Sequence, residues 1–351
     1  MSFHKKALYT DMTQNYLTPV EPMSHTRVKV RFRTGRGNVD RVTICYNGQK
    51  AIMRKDSFDD MFDYYAYHIR LTDEPIYYHF EVEAEDESCY YNWLGISKSE
   101  EARYDFILVP GFATPDWAKG AVVYQIYVDR FYNGDSSNDV VNDEYYYQGR
   151  PVKHAGHWND PVSRTDEGTF YGGDLQGIID KMDYLEGLGV EVLYLNPIFV
   201  SPSSHKYDIQ DYRHIDPHFG KIVNREECGL KDGYEQYRGI TTDRENLEAS
   251  DRLFARLVEE AHKRGMKVIL DGVFYCCGSW HRFMDKEGIY ANGDTCSIKG
   301  AYQDSNSPYR EYFQYKNPQD ANSYENWWGY EAYAKFNYEN SRKLYEYILS
   351  V

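Results

Sequence analysis

Within the run HKYDIQDYRHIDPHFG, from His205 to Gly220, an imidazole, an aromatic ring and a carboxylate fall inside four residues: His205, Tyr207 and Asp208. An aromatic face stacks on the apolar face of a sugar while a neighbouring carboxylate accepts its hydroxyls, so this spacing suits carbohydrate. A further carboxylate, Asp271, interrupts the apolar run KVILDGVF at the end of a candidate strand; a carboxylate so placed must be paired or hydrogen-bonded. Elsewhere NGDSSND packs Asn133, Asp135, Asn138 and Asp139 into seven residues, and FYGGD adds Gly172 and Asp174. Hard cations such as Ca²⁺ take six to eight oxygens in flexible geometry, which a glycine-bearing acidic loop supplies. Taken singly, each of these has a plainer reading: a Tyr-Asp pair is more often a turn with a packed ring, and an Asn/Asp run a solvated turn.

These residues need elements to hold them. From Val28 to about Leu108, the runs VKVRFR, RVTICYNG, YYAYHIRL, IYYHFEVEAE and YYNWLG alternate polar with apolar or aromatic residues between turn signals, which predicts a small antiparallel β-sandwich. VPGFATPDWAKG reads as a linker. Beyond it the period changes. Val122–Phe131 predicts a strand, and Leu175–Gly189 a helix with Ile178, Ile179, Met182 and Leu185 on one face. The strand VEVLYLNPIF, a second helix from Leu253 to Gly265 and the strand KVILDGVF follow. Strict alternation of this kind means parallel pairing with right-handed crossovers. The loop after VEVLYLNPIF hangs from a C-terminal strand end, where a β/α barrel keeps its chemistry. From Cys276 to Trp328 the chain reads as an irregular excursion, closed by a helix in ENSRKLYEYIL. The expected divisions are 1–112 (sandwich), 113–274 (barrel-like part) and 275–351 (excursion and last helix).

Composition narrows the partners. With 40 Lys plus Arg against 55 Asp plus Glu, the net charge of −15 repels phosphate backbones, so nucleic acid is not expected. The 36 tyrosines suit sugar faces, although most must simply pack. Cysteines at 45, 89, 228, 276, 277 and 296 show no CxxC spacing, so free thiols in a reducing compartment are expected. No run has the length of a membrane span and the N-terminus has no apolar signal core; the expected location is cytoplasmic, away from membranes.

The segments VVYQIYVDRFYNGDSSND, FYGGDLQGI, LNPIFVSPSSHKYDIQDYRHIDPHFG, KVILDGVF and WWGYEAYAKFNYEN, in this order, resemble the α-amylase family, glycoside hydrolase family 13, of the neopullulanase and cyclomaltodextrinase type. The fold this implies is an N-terminal antiparallel β-sandwich followed by the first three β/α units of an incomplete TIM (β/α)8 barrel, with a domain-B-like excursion after the third strand. The resemblance implies a structural Ca²⁺ held by Asn133, Asp135, Asn138, Asp139, the carbonyl of Gly172 and Asp174. It places Tyr207 on the floor of the subsite beside the scissile bond. It implies that His205, Asp208 and Asp271 bind substrate, with Asp271 also supporting the surroundings of the nucleophile. The implied substrate is an α-glucan, maltooligosaccharide or cyclomaltodextrin, and the implied assembly a homodimer through the N-terminal domain.

One departure stands out. After Asp271 the family pattern continues with Asn and His where this chain has Tyr275 and Cys276, and a thiol is a weak donor and acceptor. Retaining hydrolysis needs two carboxylates about 5 Å apart; in the family these lie on the fourth and fifth strands, beyond Val351. Asp304, Glu311, Asp320, Glu325 and Glu331 are no substitutes, because they lie in or beside the excursion. The expectation is therefore a glycosidase by family with no catalytic residue in this chain, cut short and inactive alone. Two other readings stand beside it: a non-catalytic α-glucan-binding or dimerisation module, and a half-enzyme needing a separate C-terminal part.

Overall fold

The structure, a computed structural model, describes residues 3–85, 87–162, 167–225, 233–290 and 298–351. It divides into two compact units, Met1–Gly120 and Ala121–Val351.

In the first unit the strand Arg27–Gly35 shows how the pattern folds. Its residues Val28, Val30 and Phe32 are fully buried while the intervening Lys and Arg face out, because successive side chains on a strand point to opposite faces. It pairs antiparallel with Phe62–Arg70 in a four-stranded sheet. The second sheet runs Gln49–Ile52, Arg41–Tyr46, Ile76–Ala84, Glu87–Asn92 and Gly95–Ser97, with Phe106–Leu108 also on Ile76–Ala84. Side chains of both sheets share one core. Within it Phe32 lies 4.6 Å from Phe80, ring centre to ring centre. Each large apolar side chain withdrawn this fully stabilises by about 1.5–3 kcal/mol.

In the second unit three parallel strands, Val123–Ile126, Val192–Leu195 and Lys267–Leu270, lie side by side in chain order. Val192 is opposite both Val123 and Lys267. Ile126, Leu193, Leu195, Ile178, Leu185 and Leu257 form the core between sheet and helices. The helix expected over Leu175–Gly189 is two, Leu175–Asp180 and Met182–Gly187. They part at Lys181, whose N–H is shared between the carbonyls of Gly177 and Ile178, a tightened turn. After a short helix, Glu235–Thr241, the helix Arg244–Lys263 is longer than its apolar period. Asp243 caps its start by accepting from the N–H of Asn246, and its first turns bury Asn246 and Ser250 where an apolar stripe would stand.

The excursion is partly regular. Cys276–Gly278, Tyr330–Lys335 and Asn326–Trp327 form a three-stranded antiparallel sheet. The last helix, Arg342–Leu349, starts from a Ser341 cap. Among the described residues no helix is long and apolar enough to cross a membrane. Cys45, Cys89, Cys276 and Cys277 are buried free thiols; Cys228 and Cys296 lie outside the described residues.

Candidate functional site

The loop after Val192–Leu195 is held by groups withdrawn from water. Lys206 has its ammonium 2.8 Å from Asp216 and 2.7 Å from the carbonyl of Ser201, with both charged side chains at most 1% exposed. That grip keeps Lys206 at φ +61°, a left-handed conformation that a long side chain rarely adopts. His218 places Nδ1 3.1 Å from Asp216 and Nε2 2.8 Å from Glu144. A carboxylate at each ring nitrogen calls for an imidazolium, which donates from both. Burial alone would lower the His218 pKa; Glu144 and Asp216 outweigh it and raise it. Burial would likewise raise Asp216, but Lys206 and His218 hold it far below the usual carboxylate range. Lys206 and His218 are thus each paired with a buried carboxylate beneath the loop.

Asp208 belongs to this support. It is buried, and its carboxylate accepts from the hydroxyls of Ser201 at 2.6 Å, Ser203, and Tyr147 at 2.9 Å. Asp208, expected to meet sugar hydroxyls, has its oxygens occupied by these protein hydroxyls. Gly278 closes against the same turn, its N–H donating to the Ile209 carbonyl at 2.8 Å. A Cβ at Gly278 would collide with the carbonyls of Asp208 and Ile209.

Half-buried Tyr207 donates its hydroxyl to Asp271 Oδ2 at 3.0 Å, across 64 residues of sequence. Asp271 is set by the sheet, its own N–H donating to the Leu195 carbonyl at the end of the central strand. Burial, then Asp271, raises the Tyr207 pKa, so the phenol stays protonated and donating. His205 accepts the Tyr207 N–H at Nδ1, which leaves the ring proton for Nε2, facing Tyr333 Oη at 3.3 Å and Glu167 at 3.5 Å. His205 stacks on Tyr333, ring centres 6.4 Å apart and 26° between planes, and lies 5.7 Å from Tyr207. The structure thus brings His205, Tyr207 and Asp271 together as a half-open wall of rings ending in a carboxylate. Tyr333, Glu167 and Tyr147 complete it and had been given no role from sequence. Tyr333 lay inside the WWGYEAYAKFNYEN segment, and only the pairing of Gly278 with Tyr333 reveals its place.

Cys276, at the position where an imidazole was expected, is fully buried. Burial pushes its thiol up to about 12, so it stays neutral. Tyr275 beside it is exposed, its ring 6.0 Å from Trp327.

The six residues expected to hold a cation form one neighbourhood. Asn133 donates to both oxygens of Asp139, and Asn138 donates to Asp174 at 3.2 Å and to the Gly220 carbonyl at 3.0 Å. Asp174 is largely spent on backbone: it accepts from the N–H groups of Gly134, Asp135 and Gly177. Asp135 is spent on Lys221 and Ser137. Two observations nevertheless fit a hard cation. Asn138 Oδ1 is buried with no hydrogen-bond partner, an orphaned acceptor that costs free energy unless something satisfies it. Gly172 sits at φ +79°, and a Cβ there would collide with Asn133 and Asp139. Buried Asp129 sets Gly172 in place by accepting from the N–H groups of Tyr171 and Gly172. Among the described residues no group of three His, Cys, Asp or Glu side chains forms a metal site; amide and carbonyl oxygens are the relevant donors.

The family described as "Alpha amylase, catalytic domain" matches residues 125–228 and 237–350, and the "Alpha amylase, N-terminal ig-like domain" matches residues 1–109. An amylopullulanase of Thermoanaerobacter thermohydrosulfuricus is 39% identical over 238 residues, 62% of this chain and 14% of that protein. Neopullulanase 2 of Thermoactinomyces vulgaris is 35% identical over 272 residues, 73% of this chain and 39% of its own length. Among solved structures, the type III pullulan hydrolase from Thermococcus kodakarensis superposes with a TM-score of 0.56 at 25% identity, covering 98% of this chain and 53% of that one. The chain thus spans well under half the length of these two curated relatives.

Proposed function

The chain belongs to the α-amylase family, and from that premise we propose that its 351 residues bind α-glucans, maltooligosaccharides or cyclomaltodextrins as the substrate-holding part of a glycoside hydrolase. The observation that carries this is the pairing of Tyr207 with Asp271 beside the stacked rings of His205 and Tyr333. A glucose ring lies against Tyr207, whose tilt is fixed by Asp271 at its hydroxyl and by His205 at its backbone. The names of the relatives, neopullulanase and amylopullulanase, support this ligand class.

Bond cleavage is not assigned to these residues. A retaining hydrolase needs one free carboxylate and one protonated carboxyl about 5 Å apart. The carboxylates gathered here are each held by protein donors: Asp271 by Tyr207, Asp208 by three hydroxyls, Glu167 by Gln148 and His205. They position and bind. The three parallel strands are proposed as the opening part of a (β/α)8 barrel, since they follow chain order and the outer two are bonded on one side only among the described residues. Ca²⁺ is proposed at the acidic turn, with Asn133, Asn138, Asp139 and Gly172 as holders. When bound it supplies a fixed positive charge that locks the turn and takes no part in bond cleavage. A homodimer through the sandwich unit is proposed, with the exposed Trp93 and Leu94 as apolar surface. A cytoplasmic setting is proposed from the buried free thiols.

Calorimetric titration with maltoheptaose and β-cyclodextrin, run beside a reducing-sugar assay, tests the reading. Binding without turnover is expected. Failure to bind either ligand would remove the glucan assignment, and turnover by this polypeptide alone would remove the non-catalytic part.

A further inference from the structure

A cavity in the same unit has neither Tyr207 nor Asp271 in its lining, although it shares Tyr147 with their wall. It has a volume of about 430 Å³, within the range of small-ligand sites, and is lined by Tyr147, Gln148, Tyr234, Trp280, Glu287 and Tyr330 among others.

Its floor is rigid and aromatic. Trp280 is only 3% exposed, and Tyr234, Tyr237 and Tyr147 pack around its ring at 5.3, 5.2 and 6.3 Å between centres. Trp280 locks the floor from beneath, and the half-buried Tyr234 on it needs little ordering to meet a ligand. The rim opens to water through Tyr330, which is 57% exposed.

The polar groups define the ligand class. Lys286, on the wall, is already neutralised by Glu331 at 2.7 Å. Glu287, beside it, is half-buried, and among the described residues none donates a hydrogen bond to it; burial pushes its carboxyl upward. Such a group needs hydroxyl donors. One cation against two carboxylates leaves the wall net negative and disfavours phosphate or carboxylate ligands. Apolar faces edged with hydroxyls, and no charge, describe a neutral sugar.

The rim then continues as an exposed stack. Tyr330 faces Trp327 with 6.2 Å between ring centres, and Trp327 lies 5.0 Å from Trp328, their planes 10° apart. Trp328 and Gly329 form the hairpin tip at φ +50° and +89°, positions that favour Asn-Gly. A tryptophan there is 84% exposed. Holding a large ring in a disfavoured conformation in open water points to a contact surface rather than to folding.

We propose that this cavity and the Trp327–Trp328–Tyr330 stack form a second α-glucan site, which takes one glucose unit against Tyr234 and Tyr330 and lays the following units along the hairpin tip. The ligand class rests on the glucan reading above. Gln148 joins the two sites, donating from Nε2 to Glu167 at 3.1 Å, the same carboxylate that faces His205. A long chain is therefore held at two places, and a short one at either.

The test uses the 351-residue chain and maltoheptaose in calorimetry, with retention in starch-containing native gels as a second readout. Tyr207→Ala is expected to keep one binding event per chain, and adding Tyr330→Ala to remove it. Tyr330→Ala alone should weaken starch retention on the order of tenfold, while Tyr330→Phe keeps it. Glu287→Gln, nearly unchanged in shape, should weaken binding to the same pocket and serves as the check if Tyr330→Ala loses its near-ultraviolet circular dichroism. Wild-type affinity and stoichiometry in folded Tyr330→Ala and Glu287→Gln, with binding abolished by Tyr207→Ala, would overturn this proposal alone. A wild-type chain that binds no maltooligosaccharide would overturn it together with the reading it rests on.

Discussion

Between Ser201 and Gly220 the chain withdraws charge from water: Lys206, Asp216 and His218 are at most 1% exposed in their side chains, and Glu144 joins them from another segment. Between Trp327 and Tyr330 it does the reverse, pushing indole and phenol rings into water on a two-residue turn. Tyr333 links the two regions, stacking on His205 and packing edge-on against Trp327 and Tyr330. Their difference separates two tasks. Buried charge pairs stabilise little relative to an apolar core but are costly to half-remove, so they fix a conformation. Exposed rings stabilise the fold little and remain free to meet a ligand. On the proposed reading the first region places Tyr207 for a ligand, and the second offers further rings.

The largest expected effect breaks the first region. Lys206→Met leaves Asp216 short of its cation and should cost about 3 kcal/mol in chemical denaturation; a loss below about 1 kcal/mol would mean that the loop does not depend on this pair. Next is the acidic turn, which should behave like the buried network once loaded. Ca²⁺ at a hundredfold over its Kd should add about 2.7 kcal/mol, seen as a rise in Tm that a chelator reverses and Asn138→Ala abolishes. An unchanged Tm would remove Ca²⁺ from the account.

Acidity probes the same loop more gently. His218 has a raised pKa, so its contribution is complete below the ordinary value of 6.5 and fades as pH rises through the raised one. Glu144 and Asp216 are lowered, so theirs is complete above 4.5 and 3.8 and fades as pH falls through the depressed values. Stability should therefore be greatest at about pH 5–6 and fall on both sides. In His218→Gln the alkaline decline should vanish; its persistence would assign that decline elsewhere.

Tyr207→Ala should weaken maltoheptaose binding about tenfold, roughly 1.4 kcal/mol, while Tyr207→Phe, which keeps the ring, loses less. Equal losses would give the hydroxyl, not the face, the larger share. The smallest effect belongs to the hairpin tip. Trp328→Asn should change stability by less than about 0.5 kcal/mol, because Asn suits the turn and the lost stacking is exposed. A large loss would make the tip a folding element and erase the contrast between the two regions.

The sandwich was legible because strands such as Arg27–Gly35 bury every second residue against a single core, and period-2 alternation is written in the chain. The parallel strands were legible as apolar runs, the second and third each reached through helical segments. The front half of Arg244–Lys263 was not. There Asn246 accepts from the N–H groups of Val223 and Asn224 through its side-chain oxygen, so a polar contact replaces the apolar period. Of the candidate site, His205, Tyr207 and Asp271 could be chosen from type and spacing, whereas Tyr333 and Tyr147 could not, because nothing local distinguishes them among 36 tyrosines.

By itself the sequence determined where alternation and helical period would raise strands and helices, and which loop would carry a ring beside a carboxylate, because both are properties of neighbours along the chain. Only the tertiary structure decided that Asp208 serves the protein's own hydroxyls and that Tyr207 reaches Asp271. It alone showed that Lys206, His218, Asp216 and Glu144 pair with one another under the loop. Hydrogen bonds and charges act through space, and the free energy of each depends on which distant groups the fold has placed within about 3 Å of it.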